Sequence, residues 1–353
     1  MSASPAGEDH LIAAAQRGDQ QAYSQLVTAY RSELHAHCYR MLGSSADAED
    51  ALQESLVRAW RGMPGFERRS SLRGWLYAIA TNSCLKIIER RPLRVLPMDY
   101  RPAADPHDRS GPHDRPGPHD RLGSAAAESV WIEPYPGIAD AQATPETRYD
   151  QRESVELAFI AAMQILTPGQ RAALILHDVL AFSAAEIAEM LQSTPASVYS
   201  LLQRAHKVVQ ARLTQPSQQQ TLSRLGDREL RGIVERYVSA WHRADVDALV
   251  RMLTDDAVVS MPPVVGRFCG AASIRDFLAT SLMAQPGRSR LVEIRANGQL
   301  AFGHYRLDES SGRYVAHSLD VLTLRDTRIA EITAFAMPDV FGRFHLEPVS
   351  TWT

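Results

Sequence analysis

Only three cysteines, Cys38, Cys84 and Cys269, occur in the 353 residues, too few and too scattered for a disulfide framework or a four-ligand zinc site. No apolar run approaches the 18 or more residues of a membrane span. The first ten residues, MSASPAGEDH, lack the basic-then-apolar pattern of a secretory signal. A cytoplasmic, reducing setting is therefore expected. Net charge is only −3, which excludes a wholesale polycation, so any surface for nucleic acid has to be local. No Walker-type phosphate loop is present, and ATP-driven chemistry is not indicated. Neither a metal nor a cofactor is expected.

What is present is an ordinary globular composition, 45% apolar and 22% charged, at a length that predicts two or three domains. Charge is sharply sorted between Asp47 and Arg91. Asp47, Glu49, Asp50 and Glu54 open the stretch, and Arg58, Arg61, Arg68, Arg69, Arg73, Lys86, Arg90 and Arg91 dominate its remainder. Such sorting fits two partners of opposite sign at neighbouring places, or simply two solvated helix faces. Residues 9–92 read as mostly helical. Asp47, Asp50 and Glu54 fall at i, i+3 and i+7, which predicts one shared carboxylate face. Gly62–Gly65 makes a loop, and Ser70 or Ser71 can cap the next helix, with Leu72, Trp75, Leu76 and Ile79 as its core stripe.

Residues 93–152 change character. Pro-His-Asp-Arg recurs three times at a six-residue period, with proline and glycine too dense for a packed core. The stretch reads as a flexible linker, and its histidines are too loosely spaced for a metal site. Trp131-Ile132-Glu133-Pro134-Tyr135-Pro136 is an aromatic island, of the kind that docks on a neighbouring domain.

From 153 to 213 helix-start signals return. Thr167-Pro168-Gly169-Gln170 and Ser183-Ala184-Ala185-Glu186 are capping boxes, and Thr194-Pro195 opens a longer helix. A short helix, a turn and a longer helix match a helix-turn-helix, whose second helix enters the major groove. No acidic residue lies between Glu189 and Asp227, so that helix can approach phosphates without like-charge repulsion. Gln192 stands at a turn position that favours glycine, where a positive φ costs about 1 kcal/mol. After a second polar linker, 214–228, residues 229–345 begin with helix faces: Leu230, Ile233, Tyr237 and Trp241, then Leu249, Met252 and Leu253, then Ile274, Phe277 and Leu278. They continue as strands at 291–296, 300–306, 313–324 and 328–336. Helices followed by antiparallel strands predict an α+β domain.

These residues resemble a known family. DAED-x-x-QE, Asp47 to Glu54, and LRGWLYAIATN, Leu72 to Asn82, resemble region 2 of sigma-70-type initiation factors of the extracytoplasmic-function (ECF) group. LTPGQRAALIL, FSAAEIAEML and SVYSLLQRA resemble region 4. The resemblance implies two all-α sigma domains, a region 2 bundle at 9–92 and a region 4 helix-turn-helix at 153–213. It implies docking on the β′ clamp helices of core RNA polymerase through Asp47, Asp50, Gln53 and Glu54, with the β flap as a further contact. Promoter −10 recognition falls to Arg68, Arg69, Ser71, Arg73, Asn82, Lys86 and Arg90. Reading of the −35 duplex falls to Ser197, Tyr199, Ser200, Gln203, Arg204 and Lys207; since relatives often carry a polar or basic residue at the position of Tyr199, no relative's base preference transfers. Residues 229–345 resemble SnoaL-like domains of the cone-shaped α+β fold, with Met261-Pro262-Pro263 present and the following aromatic pair absent. That resemblance implies a pocket bordered by Tyr237, Trp241, Met261, His304, His317 and Asp320.

The expectation is a promoter-specificity subunit of RNA polymerase rather than an enzyme. Its C-terminal domain, with an unknown small ligand or regulator, would take the place of a separate anti-sigma factor. Two rivals stand beside it. A ligand-responsive repressor or activator would bind promoter duplex without polymerase. A SnoaL-type enzyme would use Asp320 with His304 or His317 as an acid–base pair, although strand histidines are more often structural.

Overall fold

The computed structural model describes residues 5–67, 70–90, 94, 131–137, 154–213, 215–263, 267–283 and 285–350. They form two compact units, one from residues 1–94 with 137–214, the other from 95–136 with 215–353.

In the first unit each helix begins where the local chemistry allows. Following α1 (Pro5–Gln16), Asp19 accepts the amides of Gln21 and Ala22 to start α2 (Gln20–Thr28). α3 (Arg31–Leu42) ends on Gly43 at φ 68°, and a Cβ there would come within 3.2 Å of Gln164. Ser44 caps α4 (Ser45–Gly62) and Ser71 caps α5 (Leu72–Ile88). Leu34, Tyr39, Met41, Leu52, Leu76 and Tyr77 are buried in their shared core. The buried row on α5 contains Leu72, Leu76, Tyr77, Ala80 and Cys84, whereas Trp75 and Ile79 are half-buried. The sequence-predicted stripe therefore sits slightly rotated on the helix.

The second helical block joins this bundle. It contains α6 (Leu157–Ile165), α7 (Pro168–Leu174), α8 (Ala184–Met190) and α9 (Pro195–Arg212). Both expected capping boxes form, at Thr167–Gln170 and Ser183–Glu186. Gln192 takes the expected left-handed turn at φ 50°. Buried Arg171 ties the blocks together: its guanidinium donates to the Met41 carbonyl, to Gln164 Oε1 at 2.7 Å and to the Gln164 carbonyl at 2.9 Å. Several carbonyl acceptors around one desolvated cation offset much of the cost of burying it.

The second unit places helices α10 (Gln218–Arg243), α11 (Val246–Arg251) and α12 (Ala271–Phe277) with a mixed sheet. Strands β1 (Leu253–Ser260), β2 (Arg267–Cys269), β3 (Ser289–Ala296), β4 (Gln299–Asp308), β5 (Arg313–Arg325) and β6 (Arg328–Phe335) run in the order β2-β1-β6-β5-β4-β3. The short β7 (Val349–Ser350) pairs with β5. β1 and β6 are parallel and the remaining neighbours antiparallel. Ile233, Tyr237, Trp241, Ile274 and Phe277 pack on Phe302, Leu322 and Ile332 as the core.

Three features depart from the sequence reading. Leu253 opens β1 instead of closing a helix, and β1 and β2 carried no expected strand because Asp255-Asp256 interrupt the apolar alternation. The polar stretch 214–228 is largely helical, broken only at Gly226 (φ 70°, ψ 166°). Gln218 and Gln219 are buried in it because their amides pair with strand backbone: Gln218 Nε2 donates to the Leu324 carbonyl at 2.9 Å, and its Oε1 accepts the Leu324 amide at 2.7 Å. Finally, Arg94, assigned to the long linker, is buried in the first unit; Trp131–Tyr135, from the same linker, are buried in the second unit, as the docking expected of the aromatic island requires. The Pro-His-Asp-Arg repeats lie outside the described residues.

Candidate functional site

On α4 the exposed stripe consists of Asp50, Gln53, Glu54 and Val57, spaced i, i+3, i+4 and i+7. Glu54 pairs with Arg58 at 2.6 Å, and Gln53 donates to Glu49 at 3.0 Å. Asp47 departs from the expected docking set. It is 4% exposed, and Arg94 approaches its carboxylate at 2.8 Å. Helical periodicity placed Asp47 on the face of Glu54 correctly, but Arg94 covers that face at its N-terminal end. Val57, which sequence reasoning missed, is 46% exposed at the C-terminal end of the acidic stripe. Following the same face one turn beyond Glu54 finds it.

The second candidate surface is α5 with the residues that flank it. Arg68 and Arg69 lie outside the described residues. Ser71 is exposed and uses its hydroxyl as the helix cap, accepting the Gly74 amide at 3.0 Å. Lys86 and Arg90 are exposed. Arg73 and Asn82 are half-buried and engaged within the unit. The Arg73 guanidinium lies 4.6 Å from the Phe182 ring centroid and 4.9 Å from that of Tyr77, and it donates to the Leu180 carbonyl at 3.3 Å. Asn82 donates to the Ala78 carbonyl at 2.9 Å and lies 3.5 Å from the Met190 carbonyl. Phe182 also meets Tyr77 edge-on at 5.4 Å. The segment before α8 therefore covers part of the basic face of α5. Sequence spacing carries no signal for this contact.

All six candidate side chains on α9 are exposed: Ser197, Tyr199, Ser200, Gln203, Arg204 and Lys207. Thr194 accepts the Ser197 amide at 3.2 Å, and Val198, Leu202 and Ala205 bury the opposite face. Tyr199 is 62% exposed, unusual for a large aromatic side chain. The helix thus presents one polar row carrying two cations and an aromatic ring.

In the second unit, Trp241, Met261, His304, His317 and Asp320 line a cavity of about 30 Å³, walled otherwise by Val259, Leu278, Leu282, Ile332 and Ala334. Tyr237 stands outside that lining, its ring 4.8 Å from Phe302 and 6.3 Å from Trp241. His304 Nε2 is 3.0 Å from Ser289 Oγ, and the Ser318 hydroxyl donates to Asp320 at 2.7 Å. His304 Nδ1 lies 3.6 Å from Asp320, too far for a good hydrogen bond. Burial raises the Asp320 carboxyl to about 7, with the Ser318 hydrogen bond opposing it. Burial holds His304 well below its ordinary range, aided by His317 and Arg306, and lowers His317 to about 4. At neutral pH the two imidazoles are therefore neutral, and His304 with Asp320 does not form a salt bridge. Among the described residues, no group of three or more His, Cys, Asp or Glu side chains is placed to hold a metal ion. Also among them, no helix is long and apolar enough to cross a membrane.

An acidic helix face, a basic helix beside it and a helix-turn-helix are the features expected of a promoter-reading initiation factor, here with an α+β domain appended. Comparison with known proteins agrees. Sigma-70 region 2 matches residues 26–92, sigma-70 region 4 matches 156–207, and the SnoaL-like domain matches 234–332. The ECF RNA polymerase sigma factor SigG of Mycobacterium tuberculosis is 40% identical over 332 residues, covering 94% of this chain and 84% of SigG. SigJ of the same organism is 27% identical over 323 residues, 89% of this chain and 91% of its own length. The crystal structure of SigJ superposes with a TM-score of 0.54 over 92% of this chain and 99% of SigJ, at 23% identity, which shows a shared fold. The chain belongs to the ECF RNA polymerase sigma factors, carrying a C-terminal SnoaL-like domain. A sigma factor is a non-enzymatic initiation factor that binds core RNA polymerase and promoter DNA, so neither the repressor nor the enzyme reading is carried further.

Proposed function

We propose that this sigma factor docks on the β′ clamp helices of core polymerase through Asp50, Gln53 and Glu54, with Val57 as the apolar contact beside them. Desolvated apolar side chains ringed by polar ones are the usual anchors of such interfaces. Ser71, Arg73, Asn82, Lys86 and Arg90, with the adjoining Arg68 and Arg69, serve the −10 element, and the exposed row on α9 reads the −35 duplex. Region 4 meets the β flap, and the whole operates in the cytoplasm. The observation that carries this reading is the uninterrupted polar row Ser197, Ser200, Gln203, Arg204 and Lys207 on one face of α9, with Tyr199 beside it.

Arg73 and Asn82 reach DNA only once the Leu180 and Met190 carbonyls release them. The described arrangement of the first unit is accordingly a DNA-free one, and opening precedes −10 recognition. The C-terminal domain modulates initiation. Its cavity of about 30 Å³ has room for one or two waters, so a small-molecule effector requires the cavity to widen.

Transcription with purified core polymerase tests the assignment. Promoter-specific initiation that depends on both elements is expected from the full chain. Initiation that survives replacement of the −35 sequence, or binding to polymerase that survives Val57→Asp, would contradict the corresponding surface.

A further inference from the structure

Among the described residues, the side chain of Arg306 makes neither a hydrogen bond nor an ion pair, although it is half-buried. Other arginines of the C-terminal unit are neutralised: Arg275, Arg288, Arg325 and Arg328 meet Asp247, Glu309, Asp256 and Asp255 in turn. Burial, and then the charge of Arg288, hold the Arg306 guanidinium below its ordinary range. A cation withdrawn from water without a counter-charge costs free energy, and an incoming anion offsets that cost.

Strand geometry places this cation beside the cavity of the domain. Alternation along β4 puts Phe302, His304 and Arg306 on one face. That face meets α10, with Phe302 4.8 Å from Tyr237 and His304 4.7 Å from Trp241, ring centre to ring centre. On β5, alternation alone would give the cavity Ser318 and Asp320 and turn His317 away. A bulge prevents this: His304 pairs with Ser318 and Tyr305 with Ala316, which leaves His317 as the extra residue. His317 therefore lines the cavity together with its neighbour Ser318. Its ring meets that of His304 edge-on at 5.4 Å, and among the described residues it has no hydrogen-bond partner. Arg306 adds to burial in keeping both imidazoles neutral.

The cavity is graded from its closed end to its open one. Trp241, His304, Ser318 and Asp320 are buried, whereas Met261, Leu282 and His317 are half-buried and mark the mouth. Space for one or two waters is space for about two methylene groups. A ligand enclosed entirely has to widen the cavity. One that leaves its charged end at the mouth does not.

We infer that the mouth binds a short aliphatic carboxylate, its carboxylate on Arg306 and His317 and about two carbons inside against Val259, Leu278 and Ile332. A guanidinium offers a carboxylate two parallel donors, and a neutral imidazole offers one more. Asp320, at the closed end, does not repel the anion below about pH 7, because burial keeps its proton in place up to that pH. As the effector class for this cavity, the inference rests on the reading of the C-terminal domain as a modulator of initiation; the binding itself does not.

The test uses the full chain at about pH 6.5, with sodium propionate as the probe and the Met261 methyl resonance as the reporter. Against sodium chloride at matched ionic strength, propionate is expected to give a saturable shift with a dissociation constant of about 1 mM, well within the ceiling for so small a ligand. Arg306→Gln is expected to weaken it roughly tenfold or more, and Arg306→Lys to restore most of the affinity. Propanol, of the same length but uncharged, is expected to bind at least tenfold more weakly than propionate and to ignore Arg306→Gln. A shift that stays linear, or that chloride reproduces, would overturn the site. Propionate affinity unchanged in a folded Arg306→Gln chain would overturn the carboxylate contact; if that variant does not fold, equal affinities of propionate and propanol for the wild-type chain would do the same. Promoter-specific initiation is expected to change at least threefold with saturating propionate. Binding as described with unchanged initiation would overturn the modulatory reading and leave the site standing.

Discussion

Replacing Asp320 by asparagine isolates the energetics of the buried polar cluster in the C-terminal domain. Its carboxyl is raised from 3.8 to about 7, because burial penalises the charged form more than the Ser318 hydroxyl stabilises it. Between about pH 4 and pH 7 the folded chain holds a proton on Asp320 that the unfolded chain has released, so stability falls as pH rises through that window. Each tenfold change in proton affinity is worth about 1.4 kcal/mol, so the full effect is about 4 kcal/mol and is complete above pH 7. His304 and His317 act in the opposite sense. Both are held below their ordinary value of 6.5, so the unfolded chain takes up protons that the folded chain refuses, and stability falls as pH drops below about 6.5. Asp320→Asn leaves the histidine limb and removes the carboxyl limb, while an amide of nearly the same shape can still accept from Ser318. Urea unfolding of the second unit, measured at intervals from pH 4.5 to 8, is the assay. Relative to the variant, the wild type is expected to lose about 3 kcal/mol over this range. Parallel curves would show that Asp320 is ionised in the folded protein and that burial does not govern its proton.

Other outcomes follow from the surfaces. Reversing Asp50 and Glu54 to lysine is expected to weaken capture of core polymerase in a pull-down by tenfold or more without changing the melting of the first unit; retained capture would remove the docking assignment. Arg204→Ala is expected to cost about 1–3 kcal/mol of −35-dependent promoter binding if the guanidinium meets a base edge, and less if it meets only phosphate, read by competition between −35 variants. Phe182→Ala removes a ring that covers Arg73 and Tyr77, so the first unit is expected to open more readily and bind −10 single strand several-fold more tightly in fluorescence anisotropy; unchanged affinity would show that the covered face is not the −10 reader.

Much of the fold could be read from local chemistry. Capping boxes at Thr167 and Ser183, the proline at 195 and the alternation through 291–336 act over a few residues, and each predicted its element within a short margin. The exposed row on α9 was legible for the same reason, because helical periodicity alone decides which side chains share a face. Long-range contacts were not legible. Nothing near Asp47 announces that Arg94 will cover it, and nothing near Arg73 announces Phe182, 109 residues later. Glutamines 218 and 219 read as linker because they lack an apolar period, yet the free backbone groups at Leu324 and Gly298 drew them into the core.

By itself the sequence determined the kinds of surface this sigma factor carries: an acidic helix face, a basic helix and an exposed polar row on the second helix of a helix-turn-helix, each encoded by residues within one element. Only the tertiary structure decided which of those residues are available. Burial and pairing of polar groups depend on what lies opposite them, and the partner is set by packing across the fold. It is packing that withdraws Asp47 from the acidic face, sequesters Arg73 and Asn82, and binds a linker segment into the domain that follows it.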